Sequence, residues 1–262
     1  MLSDDGAQAL AGGHSLLPAM KLRLNQPSLL VDVGRIEELR FIRRDGNALV
    51  IGASTTHHEI ANSQAVRDAI PMLAEGADHI GDPAVRNKGT LGGSLAHADP
   101  AADWPAMMLA VNAKITIANP KGERQVDAGD FFQGFYMTAV EEGELIISVE
   151  IPVPAGNYSS AYAKFEQPAS RFAIVGCAVM ADVSSGSFKD VRVAFTGVAD
   201  SAFRDADLEA ALEGAAANAD SIATAVEKAA AGVDFMEDHY ASAPYRGHLA
   251  KVYAKRALMA LL

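Results

Sequence analysis

Gly89-Thr90-Leu91-Gly92-Gly93-Ser94-Leu95-Ala96-His97-Ala98-Asp99-Pro100-Ala101-Ala102-Asp103 packs three glycines, two hydroxyls, a histidine and two aspartates into one run ahead of Trp104-Pro105. A second glycine pair lies about 80 residues upstream, in Ala11-Gly12-Gly13-His14-Ser15. Each pair follows or interrupts an apolar run and presents backbone N–H groups with no Cβ in the way. Two such turns brought together can hold a diphosphate without lysine or arginine, because successive amides form an anion-binding concavity. Serine and threonine hydroxyls add to such a cradle, and an aspartate accepts from ribose or ribityl hydroxyls. Neither run fits the dinucleotide fingerprint G-x-G-x-x-G or the P-loop, which ends in Gly-Lys-Ser/Thr.

The rest of the chain bounds what those turns can serve. Its 262 residues allow two modest domains. Half of the residues are hydrophobic and the net charge is −11 with scattered basic residues, which argues against nucleic acid or an anionic membrane surface. Cys177 is the one cysteine, so this chain forms no internal disulfide and cannot by itself ligate an iron–sulfur cluster. Met1-Leu2-Ser3-Asp4-Asp5 shows no basic segment or apolar signal core, and no stretch approaches an apolar membrane span. These features predict a cytoplasmic protein that is not transmembrane.

Along the chain, Gln8–Leu10 reads as a strand end entering the first glycine turn, Leu16–Leu24 alternates apolar and basic residues, and Leu29–Val33 is a strand. Leu49–Ile51 is another short strand. Thr56 with Glu59 three residues on predicts a capped helix start, and Val66–Ala77 is helical in pattern. Lys114–Ala118 and Leu145–Ile151 read as strands, and Pro152–Ser160 as a linker. Beyond it, Tyr162–Phe165, Phe172–Val183 and Val191–Val198 form three strands. Alanine-rich helices follow over Asp207–Glu213, Ser221–Ala231 and Pro244–Leu262. The fold class is α+β, divided into residues 1–154 and 158–262.

The run Leu10–Arg23 resembles the first flavin-binding signature of the medium subunits of molybdenum hydroxylases, carbon monoxide dehydrogenase type. Thr90–Asp103 resembles the second signature at the expected separation. Tyr162-Ala163-Lys164-Phe165 with Phe172-Ala173-Ile174-Val175-Gly176 resembles the start of that family's C-terminal flavoprotein domain, and Tyr245-Arg246-Gly247-His248-Leu249 its end. The resemblance implies a vanillyl-alcohol-oxidase-like FAD-binding domain of two α/β subdomains. A C-terminal domain of a three-stranded antiparallel sheet with helices then follows. It places FAD between the subdomains, with Ala11, Gly12, Gly13, His14 and Ser15 and Gly89, Thr90, Gly92, Gly93 and Ser94 around the pyrophosphate. Asp103 is implied on a polyol hydroxyl, Leu145 or Ile146 against the isoalloxazine, and Lys164 near the ring's polar edge. Phe172 stands where some relatives carry a tyrosine beside the flavin, so it packs without a hydroxyl.

The resemblance further implies an electron-transfer subunit of a heterotrimer, paired as a dimer of heterotrimers. A large subunit would hold the molybdenum cofactor and a small one [2Fe–2S] clusters. Electrons would pass to quinone or another acceptor, at the inner membrane face through partners. No catalytic acid–base residue and no metal ligand is required of this chain; the rival reading is a structural subunit without functional FAD. Relatives carry a strand and a helix before the first glycine turn, whereas about ten residues precede it here, which leaves a late start site or a shortened element. Among the remaining polar groups, adjacent His57 and His58 diverge on a helix and suit a metal poorly. His97 and Asp99 read as a hydrogen-bonded pair, and His239 and His248 as helix-surface residues.

Overall fold

The computed structural model describes residue 2 and residues 4–262. Met1 and Ser3, part of the N-terminal run read above for targeting signals, lie outside the described residues. The two apolar runs flanking the first glycine pair become parallel strands, β1 (Ala7–Leu10) and β2 (Leu29–Asp32), in register from Ala7↔Leu29 to Leu10↔Asp32. Between them Leu16–Lys21 forms α1, none of whose residues is buried. The alternation in Leu16–Leu24 therefore opens as a surface helix. This βαβ unit is the smaller of two layers that meet at the glycine turns.

The larger layer begins with the hairpin β3 (Ile42–Asp45) and β4 (Ala48–Gly52). Thr56 and Glu59 form the predicted capping box, each side chain bonding the other's backbone N–H, and start α2 (His57–Asn62). The helical pattern over Val66–Ala77 resolves into α3 (Gln64–Ala69) and α4 (Pro71–Asp78). Pro71 offers no N–H and forces Ile70 into an extended conformation, so one helix ends where the next starts. Short α5 (Pro83–Arg86) leads into α6 (Leu91–His97) and α7 (Asp103–Ala110), so the glycine-rich run lies on α6 and its entry. Strands β5 (Lys114–Asn119) and β6 (Gly122–Asp127), α8 (Ala128–Phe131), and a small hairpin β7 (Phe132–Gly134) and β8 (Met137–Thr138) precede β9 (Leu145–Pro152). The sheet order is β3-β4-β9-β5-β6, all antiparallel. Its covered face and α7 enclose a core around Trp104, Leu49, Ile51 and Leu73, each fully buried.

The linker is shorter than its composition suggests, since Pro152 still belongs to β9 and Tyr158 already opens β10 (Tyr158–Glu166). The three expected strands are β10, β11 (Ala173–Asp182) and β12 (Lys189–Thr196). A two-residue strand, β13 (Phe203–Arg204), pairs onto β12 and makes the sheet four-stranded. Strand β11 is buried on both faces. Alternate residues explain this: Val175, Cys177 and Val179 face the C-terminal helices, while Ala178 and Met180 join the core around α7. Helices α9 (Ala206–Leu212), α10 (Ala219–Ala225) and α11 (Ala243–Met259) cover the far face. The expected helix to Ala231 tightens into a 3-10 turn at Val226–Lys228. Arg246, buried on α11, donates to the Gly197 carbonyl and the Asp238 carboxylate, both at 2.6 Å, and so ties the last helix to the sheet.

Candidate functional site

The two glycine turns touch. A Cβ built on Gly12 would stand 1.9 Å from the Lys88 carbonyl oxygen and 2.9 Å from Gly89 Cα. Gly12 has no left-handed backbone, so the close approach of the two chains, and not its conformation, demands glycine there. Gly13 differs: its φ of +74° is a region that a side chain disfavours. On the other turn, a Cβ on Gly92 would meet Ala53 Cβ at 2.6 Å, which presses α6 against the end of β4.

Between the turns runs a cleft of about 600 Å³, within the range of small-molecule and cofactor sites. Fourteen of the fifteen residues that the sequence singles out line it: Ala11 to Ser15, Gly89, Thr90, Gly92 to Ser94, Asp103, Leu145, Ile146 and Phe172. Phe172 exposes 43% of its surface there, while Ile146 is buried. Lys164 is the exception. Its ammonium is engaged by the His79 carbonyl at 2.8 Å, the Arg171 carbonyl at 2.7 Å and the Asp103 carboxylate at 3.0 Å, and its side chain is 1% exposed. Three protein acceptors satisfy all three ammonium donors. Lys164 thus braces the second glycine segment against β10, with its ammonium on protein acceptors.

Asp103 is engaged in the same cluster. Its carboxylate takes the Tyr162 hydroxyl at 2.5 Å as well as Lys164, and the residue borders the cleft. Burial raises the Asp103 pKa above the ordinary carboxylate value against the pull of Lys164 and Tyr162. Burial, then Asp103, pushes the Tyr162 hydroxyl well up.

The turns also differ in the amides that they leave open. Among the described residues no acceptor takes the amides of Gly12, Gly13, His14 or Ser15. In the second turn the amides of Gly89, Leu91, Gly92 and Ser94 bond to Val85, Thr55, Ala53 and Thr90 carbonyls, and Gly93 N–H donates to Thr90 Oγ1. Thr90 caps α6, and that cap engages amides that the sequence offered to a ligand. The second turn therefore contributes close approach and the hydroxyl of Ser94, while the first contributes the open amides.

The C-terminal sheet fixes the segment beyond α6. Ala173 N–H donates to the Ala101 carbonyl at 3.0 Å and Gly197 N–H to the Pro100 carbonyl at 2.7 Å. His97 and Asp99 are 4.0 Å apart and not the expected hydrogen-bonded pair; Asp99 instead accepts from the Tyr136 hydroxyl at 3.0 Å. Burial, then Asp99, pushes the Tyr136 pKa up to about 12. His239 lies in a bend and not on a helix, whereas His248 is exposed on α11.

Sequence reasoning missed two parts of the wall. One is the turn Glu141–Glu144, braced by Arg124, which donates to Glu144 at 2.6 Å. The other is His57, buried at the start of α2 and accepting from Trp104 Nε1 at 3.0 Å. The capping box beside it was the available signal, since it fixes which way the first helical residue faces.

A cleft with an open-amide turn, a close-approach turn and partly apolar walls suits a dinucleotide cofactor, and the family matches make it that of a flavoprotein. Residues 1–154 match the family described as FAD binding domain in molybdopterin dehydrogenase, and residues 160–261 the CO dehydrogenase flavoprotein C-terminal domain. The chain is 41% identical over 254 residues to the carbon monoxide dehydrogenase medium chain of Hydrogenophaga pseudoflava, covering 97% of this chain and 88% of that one. It is 34% identical to the glyceraldehyde dehydrogenase medium chain of Sulfolobus acidocaldarius, covering 97% and 90%. The solved carbon monoxide dehydrogenase of Hydrogenophaga pseudoflava that lacks the Mo-pyranopterin moiety superposes with a TM-score of 0.94 at 43% identity, covering 98% of this chain and 90% of that one. The chain belongs to the FAD-binding medium subunits of the molybdenum hydroxylases, and it is a flavoprotein component of an oxidoreductase complex.

Proposed function

We propose that this chain holds FAD in the cleft with its diphosphate on the amides of residues 12–15 and its ring toward Leu145, Ile146 and Phe172. The observation that carries this is the contact of Gly12 with Lys88 and Gly89, which closes a concavity of open amides at one end of an apolar cleft. When bound, FAD supplies the junction between single-electron and paired-electron transfer. The chain's own residues bind and orient it: the glycine turns fix the phosphates, and Phe172 offers a face without a hydroxyl. Lys164 and Asp103 hold the two domains in register behind the site.

In this reading the chain is the medium subunit of a heterotrimer, paired as a dimer of heterotrimers, with the molybdenum cofactor in a large subunit and [2Fe–2S] clusters in a small one. Electrons leave for a quinone at the inner membrane face, and the complex is cytoplasmic. Two features support the assembly. The lone Cys177 is buried in the C-terminal sheet, so clusters belong elsewhere. Leu22 and Leu24, 71% and 79% exposed, leave an apolar surface beside α1 that suits a partner subunit. No helix of the described residues is long and apolar enough to cross a membrane.

The test is isolation of the chain with its co-purifying subunits, followed by flavin quantification and anaerobic mixing of the reduced complex with a water-soluble quinone. One FAD per chain and rapid flavin reoxidation by the quinone are expected. Absence of flavin overturns the binding reading. Flavin that stays reduced before quinone yet reoxidises with another acceptor overturns the choice of acceptor alone.

A further inference from the structure

His57 is the first residue of α2 and only 4% exposed. Its Nδ1 lies 3.0 Å from Trp104 Nε1. An indole nitrogen only donates, so Nδ1 is the acceptor and the ring proton of the neutral imidazole sits on Nε2. Burial first, then the charges of His14 and Arg86, pull the pKa down to about 3, so the ring is neutral. Protonating Nδ1 would also set one N–H against another.

Nε2 has no hydrogen-bond partner among the described residues, although His57 lines the cleft. It stands 2.7 Å from where a Cβ on Gly89 would lie, and Gly89 Cα is itself 2.9 Å from a Cβ built on Gly12. Nε2–H is therefore a donor open to the cleft beside Gly89, on the segment that Gly12 approaches, and the first turn across that seam carries amides that also lack acceptors among the described residues. A ligand atom meeting only donors there must be an acceptor, and an anionic oxygen gains most from them.

We propose that His57 is a cofactor-binding residue whose Nε2–H donates to a phosphate oxygen of the dinucleotide, with Trp104 as the positioning residue that fixes its tautomer. This rests on the FAD-binding reading above. It makes His57 a neutral donor, so this residue itself adds no imidazole titration to the FAD affinity between about pH 5 and 8. The titratable and charged groups that act on His57 are His14 from the first glycine turn and Arg86 from α5.

The test measures FAD dissociation constants by flavin fluorescence on the full chain with its co-purifying subunits, stripped of flavin and retitrated. His57→Phe removes the donor and is expected to weaken FAD by roughly 10- to 100-fold, the range for a hydrogen bond to a charged group. His57→Gln, which restores a side-chain N–H, recovers at least part of that loss. Trp104→Phe frees the tautomer while burial still keeps the ring neutral, so it is expected to weaken FAD by a smaller factor than His57→Phe. Wild-type FAD binding with an unchanged constant in folded His57→Phe overturns this proposal and leaves the flavoprotein reading standing. Wild-type protein that takes up no FAD overturns the reading beneath it. Should His57→Phe fail to fold, Trp104→Phe decides: a weakened FAD constant supports the proposal, and the wild-type constant overturns it.

Discussion

Replacing Gly12 by alanine isolates the contact between the turns. The new Cβ would lie 1.9 Å from the Lys88 carbonyl oxygen, where ordinary contact begins at 3.4 Å. All three opposing atoms nearest to it belong to backbone, so no side chain can swing away, and the turns must part by about 1.5 Å. A hydrogen bond of about 2.9 Å stretched by that distance is no longer one. Losing two charge-assisted bonds to the diphosphate, at about 1.5–3 kcal/mol each, weakens FAD by about 3–6 kcal/mol, or roughly 10²- to 10⁴-fold. Strain in the fold itself should stay within the ~1–3 kcal/mol usual for overpacking. The assay is FAD titration of the stripped complex beside thermal melting, with Gly129→Ala as the control because nothing lies within 4 Å of its Cβ. Gly12→Ala binding FAD with the wild-type constant would refute the reasoning.

Three further outcomes follow from buried groups. Lys164→Met leaves the Asp103 carboxylate buried without its cation and should cost about 3–5 kcal/mol in urea unfolding; a shifted flavin potential at unchanged stability would instead put Lys164 at the ring. Arg246→Leu strips the Gly197 carbonyl and Asp238 of their shared donor and should destabilise by a similar amount, seen as loss of cooperative unfolding in the C-terminal domain. The folded His57 pKa of about 3 lies below the unfolded value of 6.5, so the unfolded chain binds the extra proton in between. That contribution to stability is complete above about pH 6.5 and falls with pH toward 3, by at most about 1.4 kcal/mol per unit. Urea midpoints between those limits should fall less steeply in His57→Gln than in wild type, and equal slopes would contradict the assignment.

The glycine turns were legible in sequence because a bare backbone leaves a compositional mark, and so was the capping box at Thr56 and Glu59. The strands over Leu29, Leu49, Lys114 and Leu145 were legible from alternation and β-branching. What the sequence concealed is pairing across long separations. Lys164 meets Asp103 and His79 only when β10 docks against α4 and α7, so its occupation by protein acceptors has no local signature. The same applies to Trp104 and His57, 47 positions apart. Thr90 misled in a different way: its hydroxyl suits a phosphate and a helix cap equally, and the helix beginning at Leu91 takes it. The fourth strand, β13, was too short to show any period.

The most direct examination is an experimental structure of the assembled complex with FAD bound, read at the seam between residues 12–15 and Gly89. The diphosphate should lie within about 3 Å of the first-turn amides and of His57 Nε2, with the isoalloxazine beside Phe172. A dinucleotide seated elsewhere, or one whose phosphates face solvent while those amides stay without an acceptor, would contradict the account.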